Sequence, residues 1–264
     1  QLVAARRGLT LRQLPLPVPP EDEGALVDVF RRALSPRTRV VSVSHVNFTN
    51  GVVMPVARLA ELCRPRGIIV VADGAHPPGL MPVHLETLGA DFYASSPHKW
   101  LLAPQGTGLL WMTEPWRTRL WPTLASGGWN DLALGAHRFN HLGTLDESRL
   151  AGLGAAVALH HTIGPARIER RNRFLRRRLH GALAALPRVR IASPSEEPLV
   201  AGMVSFALDG MASLELQRRL AERANVRTRV VSEYDYGWMR LAPHMYNTPE
   251  EVDRVVGLIA DEAG

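Results

Sequence analysis

Short apolar and β-branched runs alternate with helical segments through the first two thirds of the chain. Leu9 to Leu14 reads as a strand and leads into a proline-rich connector ending at Pro20. Glu23 to Leu34 predicts a helix, and Arg39 to Ser44 (RVVSVS) a short β-branched strand. Val56 to Cys63 continues as helix, with Pro55 placed near its first turn. Ile68 to Ala72 (IIVVA) is a continuous apolar run, the pattern of a strand buried on both faces of a parallel sheet. Asp91 to Ser95 and Gly108 to Met112 read as two further strands. Strand–helix–strand alternation of this kind argues for an α/β layer built on a parallel sheet.

Thr113 to Gly143 is looser and rich in Trp, Gly and Pro. A long helical region follows from about Asp146 to Leu186, broken at Gly164-Pro165. Within it, Ile168, Phe174, Leu175 and Leu179 fall at roughly helical spacing among Arg170, Arg171, Arg173, Arg176, Arg177 and Arg178. That pattern predicts a surface helix with a solvated basic face. Strands are expected at Val189 to Ile191 and Met203 to Ala207, and a helix at Ser213 to Ala224. Strands at Val226 to Val231 and Trp238 to Leu241 then precede a final helix from Thr248 to about Asp261. Thr248 is suited to cap that helix, with Pro249 at its first position and Glu251 three residues on. The expected organisation is a large α/β domain over residues 1–160 and a smaller α/β domain over residues 161–264.

Composition narrows the function classes. The chain is 46% hydrophobic and 21% charged over 264 residues, enough for one large core or two modest ones. No run of about eighteen apolar residues occurs, so no membrane span is expected. Net charge is +6, yet Lys99 is the only lysine among the 31 basic residues. An arginine and alanine bias of this kind points to a GC-rich genome rather than to a nucleic-acid partner. The single cysteine, Cys63, excludes an internal disulfide and fits a reducing, cytoplasmic setting. The first ten residues carry no signal-peptide pattern and no starting Met, which raises the expectation of a fragment.

The segment from Ile68 to Lys99 is the richest in chemistry. The run IIVVADGAHPPG puts Asp73 at the end of a buried strand, where open α/β sheets bind ligands. The same Asp-Gly pair also suits an ordinary turn. The run DFYASSPHKW ends the next strand just before Lys99. Neighbouring strand ends therefore present a carboxylate and an amine on one edge. Lysine forms a Schiff base and arginine does not. Pyridoxal 5'-phosphate (PLP) chemistry needs that lysine, and an acid facing the pyridine nitrogen keeps the ring an electron sink. The cofactor's phosphate needs hydroxyls, a cation or backbone N–H groups, for which Ser96, His98 and Thr144 are candidates. Each of these residues also has a plainer role open to it: Lys99 on the surface, His98 as a strand cap, Thr144 as a helix cap.

The run from Ser44 to Met112 (SHVNFTNGVV to TGLLWM) resembles the cofactor-binding core of the class V aminotransferases. It is closest in appearance to isopenicillin N epimerase-like members and related to cysteine desulfurases. RFNHLGTLD and MRLAPHMYNT follow in the order the family shows. The resemblance covers essentially the whole chain. It implies the PLP-dependent transferase fold of type I, the aspartate aminotransferase type. A large α/β cofactor domain would be closed by a smaller C-terminal one. It implies that Lys99 is the Schiff-base lysine and that Asp73 pairs with the pyridine nitrogen. His76 would lie near the cofactor's phenolic oxygen, and Ser96 and His98 would contact the phosphate. Thr144 would reach the phosphate of the neighbouring subunit's cofactor, implying a homodimer with shared sites. Arg240 would receive the carboxylate of an amino-acid substrate, and contacts to its side chain would come from Trp129, the Ser232 to Trp238 loop and the family's N-terminal section.

The chain also departs from the pattern. The family has a whole N-terminal section ahead of the point matching Gln1, so a truncated chain with exposed sheet surface is expected. Desulfurases carry a mobile catalytic cysteine upstream of the carboxylate-binding arginine, and Asn225 to Arg240 contains none. That excludes the desulfurase mechanism in its usual form. Cys63 reads as a buried structural thiol. Desulfurases also place an asparagine near the cofactor where this chain has Phe48, flanked by Asn47 and Asn50. Gly152-x-Gly154 lies inside a helix and is no dinucleotide loop, and His160-His161 are poorly placed as a metal pair. No zinc or calcium spacing occurs.

Overall fold

The computed structural model describes residues 1–140 and 143–264. His141 and Leu142, inside the run RFNHLGTLD, lie outside the described residues. The first sheet contains β1 (Val40–Ser44), β2 (Ile69–Asp73), β3 (Phe92–Ser95) and β4 (Leu109–Met112) in that spatial order. The first three strands are parallel, and β4 returns antiparallel to β3. Helices α1 (Leu2–Arg7) and α2 (Glu23–Ala33) precede β1, α3 (Val56–Cys63) and α4 (Leu85–Leu88) lie in the connections between the parallel strands, and α5 (Glu114–Arg119) follows β4. Only turns separate β3 from β4, so the chain folds back on itself; a parallel partner generally needs a longer, helical crossover.

The second sheet is antiparallel throughout. Its strands β5 (Val189–Ile191), β6 (Val204–Leu208), β7 (Arg229–Val231) and β8 (Trp238–Leu241) run in the spatial order β5-β6-β8-β7. Helices α7 (Pro165–Ala184), α8 (Ser213–Ala224) and α9 (Pro249–Ala263) cover it. Each sheet has its own apolar core. One gathers Leu26, Leu59, Val70 and Ala72, and the other Leu179, Val204, Phe206, Leu220 and Ile259. A small third cluster of Val46, Leu80, Trp100, Ala201 and Met203 lies where the two halves meet.

Several expectations change in detail. Residues 9–14 pair with no strand; Leu14 and Leu16 instead pack half-buried against the first core, held extended by the prolines that follow. The strand expected over 226–231 shrinks to Arg229–Val231 because Val226 packs into the second core. Gln217 meanwhile donates to the Thr228 carbonyl at 2.9 Å. On α7 the buried stripe is Ile168, Asn172, Leu175, Arg176, Leu179 and Leu183, whereas Phe174 is exposed. Arg176 is thus no part of a solvated basic face. Its guanidinium donates to the carbonyls of Pro194 and Ser195, and burial brings it down to about 10. The helical break at Gly164-Pro165 falls where the pattern puts it, between α6 (Glu147–Ile163) and α7.

Apolar side chains do lie open. Leu109 and Leu110 on β4 and Leu150, Val157 and Leu159 on α6 are exposed.

The capping box of α9 is complete. Thr248 Oγ1 accepts from the Glu251 N–H at 3.2 Å, and the Glu251 carboxylate accepts from the Thr248 N–H at 2.9 Å. Replacing such a cap removes a partner from an otherwise orphaned N–H. Thr248→Ala is therefore expected to lower the unfolding free energy by about 1 kcal/mol, read as a lower urea midpoint with an unchanged slope.

Candidate active site

The three parallel strands of the first sheet aim their C-terminal ends at one edge. His45 follows β1, Asp73 closes β2, and Ser95 closes β3 just ahead of the turn that carries Lys99. The turn is tight: the Lys99 N–H donates to the Ser96 carbonyl at 3.2 Å, and the Ala103 N–H to the Pro97 carbonyl at 3.1 Å. Two glycines permit the close packing. A Cβ on Gly74 would fall 1.9 Å from the Tyr93 ring, and one on Gly79 would fall 2.4 Å from the Trp100–Leu101 backbone.

His76 and Lys99 come together. Lys99 Nζ lies 3.4 Å from His76 Nε2, and the Trp100 indole N–H donates to His76 Nδ1 at 3.0 Å. An indole N–H can only donate, so Nδ1 is the acceptor and the neutral ring carries its proton on Nε2. That proton points at the Lys99 amine. Partial burial lowers the proton affinity of Lys99; Asp73 pulls it back up, while Arg240 and Arg229 lower it further. His76 itself is pushed down to about 3 by burial and then by Lys99 and the two arginines.

Asp73 is exposed at the strand end, and one of its oxygens accepts from the Ala75 N–H at 2.9 Å. Below it His45 Nδ1 and the Tyr93 hydroxyl lie 3.1 Å apart. Burial brings His45 to about 4, and burial together with Asp73 raises Tyr93. Ser96 is half-buried and His98 exposed on the lysine turn. The Ser95 hydroxyl, one position earlier, is buried and has no hydrogen-bond partner among the described residues. Thr144 is exposed ahead of α6 and is not its cap: Asp146 accepts from the Ser148 N–H at 3.0 Å.

Arg240 reaches the same region from the second sheet. Register pairs Ser205 of β6 with Arg240 of β8, and Arg240 with Arg229 of β7, so the three share one face. Ser205 Oγ donates to the Thr49 carbonyl at 2.6 Å and Arg240 Nη1 to the Phe48 carbonyl at 2.5 Å. Arg229 lies 5.6 Å over the Phe48 ring. Arg240 Nε is buried without a partner among the described residues. Asn47 turns into its own loop, accepting from Thr49, and Asn50 donates across to the Ala192 carbonyl at 3.2 Å. Trp129 is bound through its carbonyl to buried Arg138 and stacks obliquely on Trp121.

A family model for Aminotransferase class-V matches residues 1–255. The chain belongs to that family. It is 34% identical over 268 residues to the isopenicillin N epimerase of Streptomyces clavuligerus, an alignment covering 96% of this chain and 67% of that protein. With the cysteine desulfurase of Klebsiella pneumoniae subsp. pneumoniae it shares 31% identity over 278 residues, covering 97% and 65%. Among solved structures, the apo cysteine desulfurase of Thermococcus onnurineus NA1 superposes with a TM-score of 0.86 at 28% identity, covering 100% of this chain and 68% of that one. The cystine C-S lyase C-DES, solved with cysteine persulfide, gives a TM-score of 0.85 at 28% identity, covering 99% and 71%. The chain thus spans about two thirds of the length of these relatives. The family consists of PLP-dependent enzymes, and the fold of this member is fold type I.

The residues fit that cofactor. A lysine of lowered proton affinity, a free carboxylate oxygen on the neighbouring strand end and an orphaned buried hydroxyl at Ser95 face one edge. Sequence reasoning missed Trp100, which sets the tautomer of His76, and Arg229, which shares the face of Arg240. Trp100 stood beside Lys99 in the sequence with nothing to show its hydrogen bond. Arg229 became visible only through strand register.

The buried histidines carry a pH signature. His45 and His76 hold proton affinities far below the ordinary 6.5, at about 4 and about 3. Above pH 6.5 both are neutral whether the chain is folded or unfolded. Below it the unfolded chain takes up protons that the folded chain refuses, so stability is lost as pH falls from 6.5 toward those values. Each unit of difference is worth about 1.4 kcal/mol. Urea midpoints measured between pH 7 and pH 5, above the range of most carboxylates, are expected to fall with pH. A His45→Asn/His76→Gln double variant should flatten that slope.

Proposed function

We propose that the chain is a PLP-dependent enzyme acting at the α-carbon of an amino acid, with Lys99 as cofactor lysine and proton carrier. The observation that carries the reading is the Lys99 amine held at His76 Nε2, one strand away from Asp73. When bound, PLP supplies a conjugated electron sink for charge developing at the α-carbon. Lys99, with its proton affinity lowered by partial burial, is suited to take and return the α-proton. His76 presents Nε2–H toward that amine and orients it. Asp73, with one oxygen free, is the acid for the pyridine nitrogen, and Ser96 and His98 serve the phosphate. Arg240 takes the substrate carboxylate: its guanidinium is anchored at one corner to Phe48 and keeps Nε unpartnered.

These residues serve transamination, epimerisation and β-elimination alike. A persulfide-forming route through a cysteine is disfavoured, because Cys63 is buried in α3 and its thiol is raised by that burial. On this reading the enzyme is a cytoplasmic homodimer in which Thr144 serves the partner's phosphate. A second reading, a non-catalytic binding or dimerisation partner, draws support from the exposed leucines of β4 and α6.

Absorption separates the two. With added PLP the chain is expected to show a visible band that borohydride abolishes, leaving the reduced adduct on the Lys99 peptide by mass spectrometry. Lys99→Ala should show no such band, and Asp73→Asn should weaken PLP binding and shift the band. No band in the parent chain would sink the enzymatic reading and leave the binding partner.

A further inference from the structure

Arg229 and Arg240 stand directly opposite each other in the antiparallel β7–β8 pair. Opposed side chains leave the same face with Cβ atoms about 5 Å apart, and like charges there repel. Arg240 sits at about 10, brought down by burial and then by Arg229. Both guanidiniums also depress Lys99 and His76, so both lie within electrostatic reach of the amine. Phe48 ties them together, its carbonyl on Arg240 and its ring beneath Arg229.

One carboxylate eases this crowding. Glu233 Oε1 pairs with Arg229 Nη2, and its charge opposes the depression of Arg240. Its second oxygen, Oε2, is buried and accepts no hydrogen bond among the described residues. The loop that presents it holds Tyr234 and Asp235 at φ of 59° and 58°. Two successive non-glycine residues in the left-handed region are a disfavoured backbone state. Arg229 is therefore already seated on a carboxylate whose charge also reaches Arg240, and that carboxylate keeps one oxygen unpartnered among the described residues and is held by a strained loop.

We propose that Arg229 and Arg240 form a receptor for two carboxylates, so that the amino acid taken by this site carries a second carboxylate on its side chain. Glu233 holds the place of that second carboxylate until substrate displaces it. The inference rests on the reading of Arg240 as the residue for the α-carboxylate. Arg240 is the inner member and Arg229, with 48% of its side chain exposed, the outer one facing the substrate's distal end. A side-chain carboxylate can replace Glu233 on Arg229 charge for charge. A neutral amide cannot, because it would leave either a guanidinium or a carboxylate without its counter-charge.

Two titrations test this. In the first, glutarate and its mono-amide, glutaramate, are titrated into the chain without PLP by calorimetry. In the second, L-glutamate and L-glutamine are titrated into the PLP-loaded chain and the visible band is followed. The dicarboxylate is expected to bind roughly tenfold tighter than its amide in both, the size of one charge-assisted hydrogen bond. Arg229→Gln should bring both ratios close to one. Glu233→Gln, which removes the internal competitor but keeps the loop's length and shape, should tighten dicarboxylate binding. Glutarate binding no tighter than glutaramate, or absent, overturns the proposal, as does a ratio that Arg229→Gln leaves in place. A chain that takes up no PLP defeats the enzymatic reading, while the glutarate titration still decides this one.

Discussion

A short seam of buried hydrogen bonds fixes the second sheet against the first, and the placement of Arg240 against the strand edge follows from it. Asn50 donates to the Ala192 carbonyl and Ser193 to the Asn50 carbonyl. Ser205 donates to the Thr49 carbonyl, and all three donating side chains are buried. Neighbours in register bond neighbours in sequence: Ser205 takes carbonyl 49, and its cross-strand partner Arg240 takes carbonyl 48. Sliding the sheets by one residue would orphan this set at about 1–3 kcal/mol for each buried group left unpaired. Gly51 adds a steric lock, since a Cβ there would fall 2.6 Å from the Met203 side chain. The guanidinium of Arg240 is thereby held in a fixed relation to the strand edge that carries Asp73 and Lys99.

The lysine turn is anchored from the opposite direction. Trp100 is buried among Leu80, Ala201 and Met203. It stacks on His244 at 5.1 Å between ring centres, and its carbonyl accepts from His244 Nε2 at 3.2 Å. The same indole donates to His76. One aromatic side chain therefore seats the turn, docks the loop after β8, and chooses which nitrogen of His76 carries the proton. The geometry of Lys99 is in this way the product of packing in the interface between the sheets rather than of the first sheet alone.

Much of this was legible in the sequence, and the limits are physical. Apolar period and β-branching located β1, β2, β3, β5 and β8 to within a residue, because buried strands admit few other residue types. The breaks at Gly164-Pro165 and Thr248-Pro249 were legible because proline and a capping threonine act locally. Residues 9–14 misled because an extended, apolar stretch looks the same whether its backbone pairs or only its side chains pack. Arg176 misled because a buried guanidinium needs carbonyl partners, here Pro194 and Ser195, that no local pattern announces. At the site, Lys99 and Asp73 stood out by residue type and strand position. Arg229 did not, because only β7–β8 register sets it opposite Arg240.

The charges at the site explain why the two sheets need to be coupled at all. Arg229 and Arg240 lower the proton affinity of Lys99 while Asp73 raises it, and Glu233 opposes the depression of Arg240. Lowered proton affinity at Lys99 is therefore partly a property of the second sheet, which contributes both guanidiniums. A carboxylate arriving on Arg240 would cancel part of that field and return proton affinity to the amine. Distance alone could hold Lys99 near Asp73 within a single sheet. Linking the amine's basicity to the presence of a carboxylate requires the arginines, and the seam at residues 48–50 is what keeps them there.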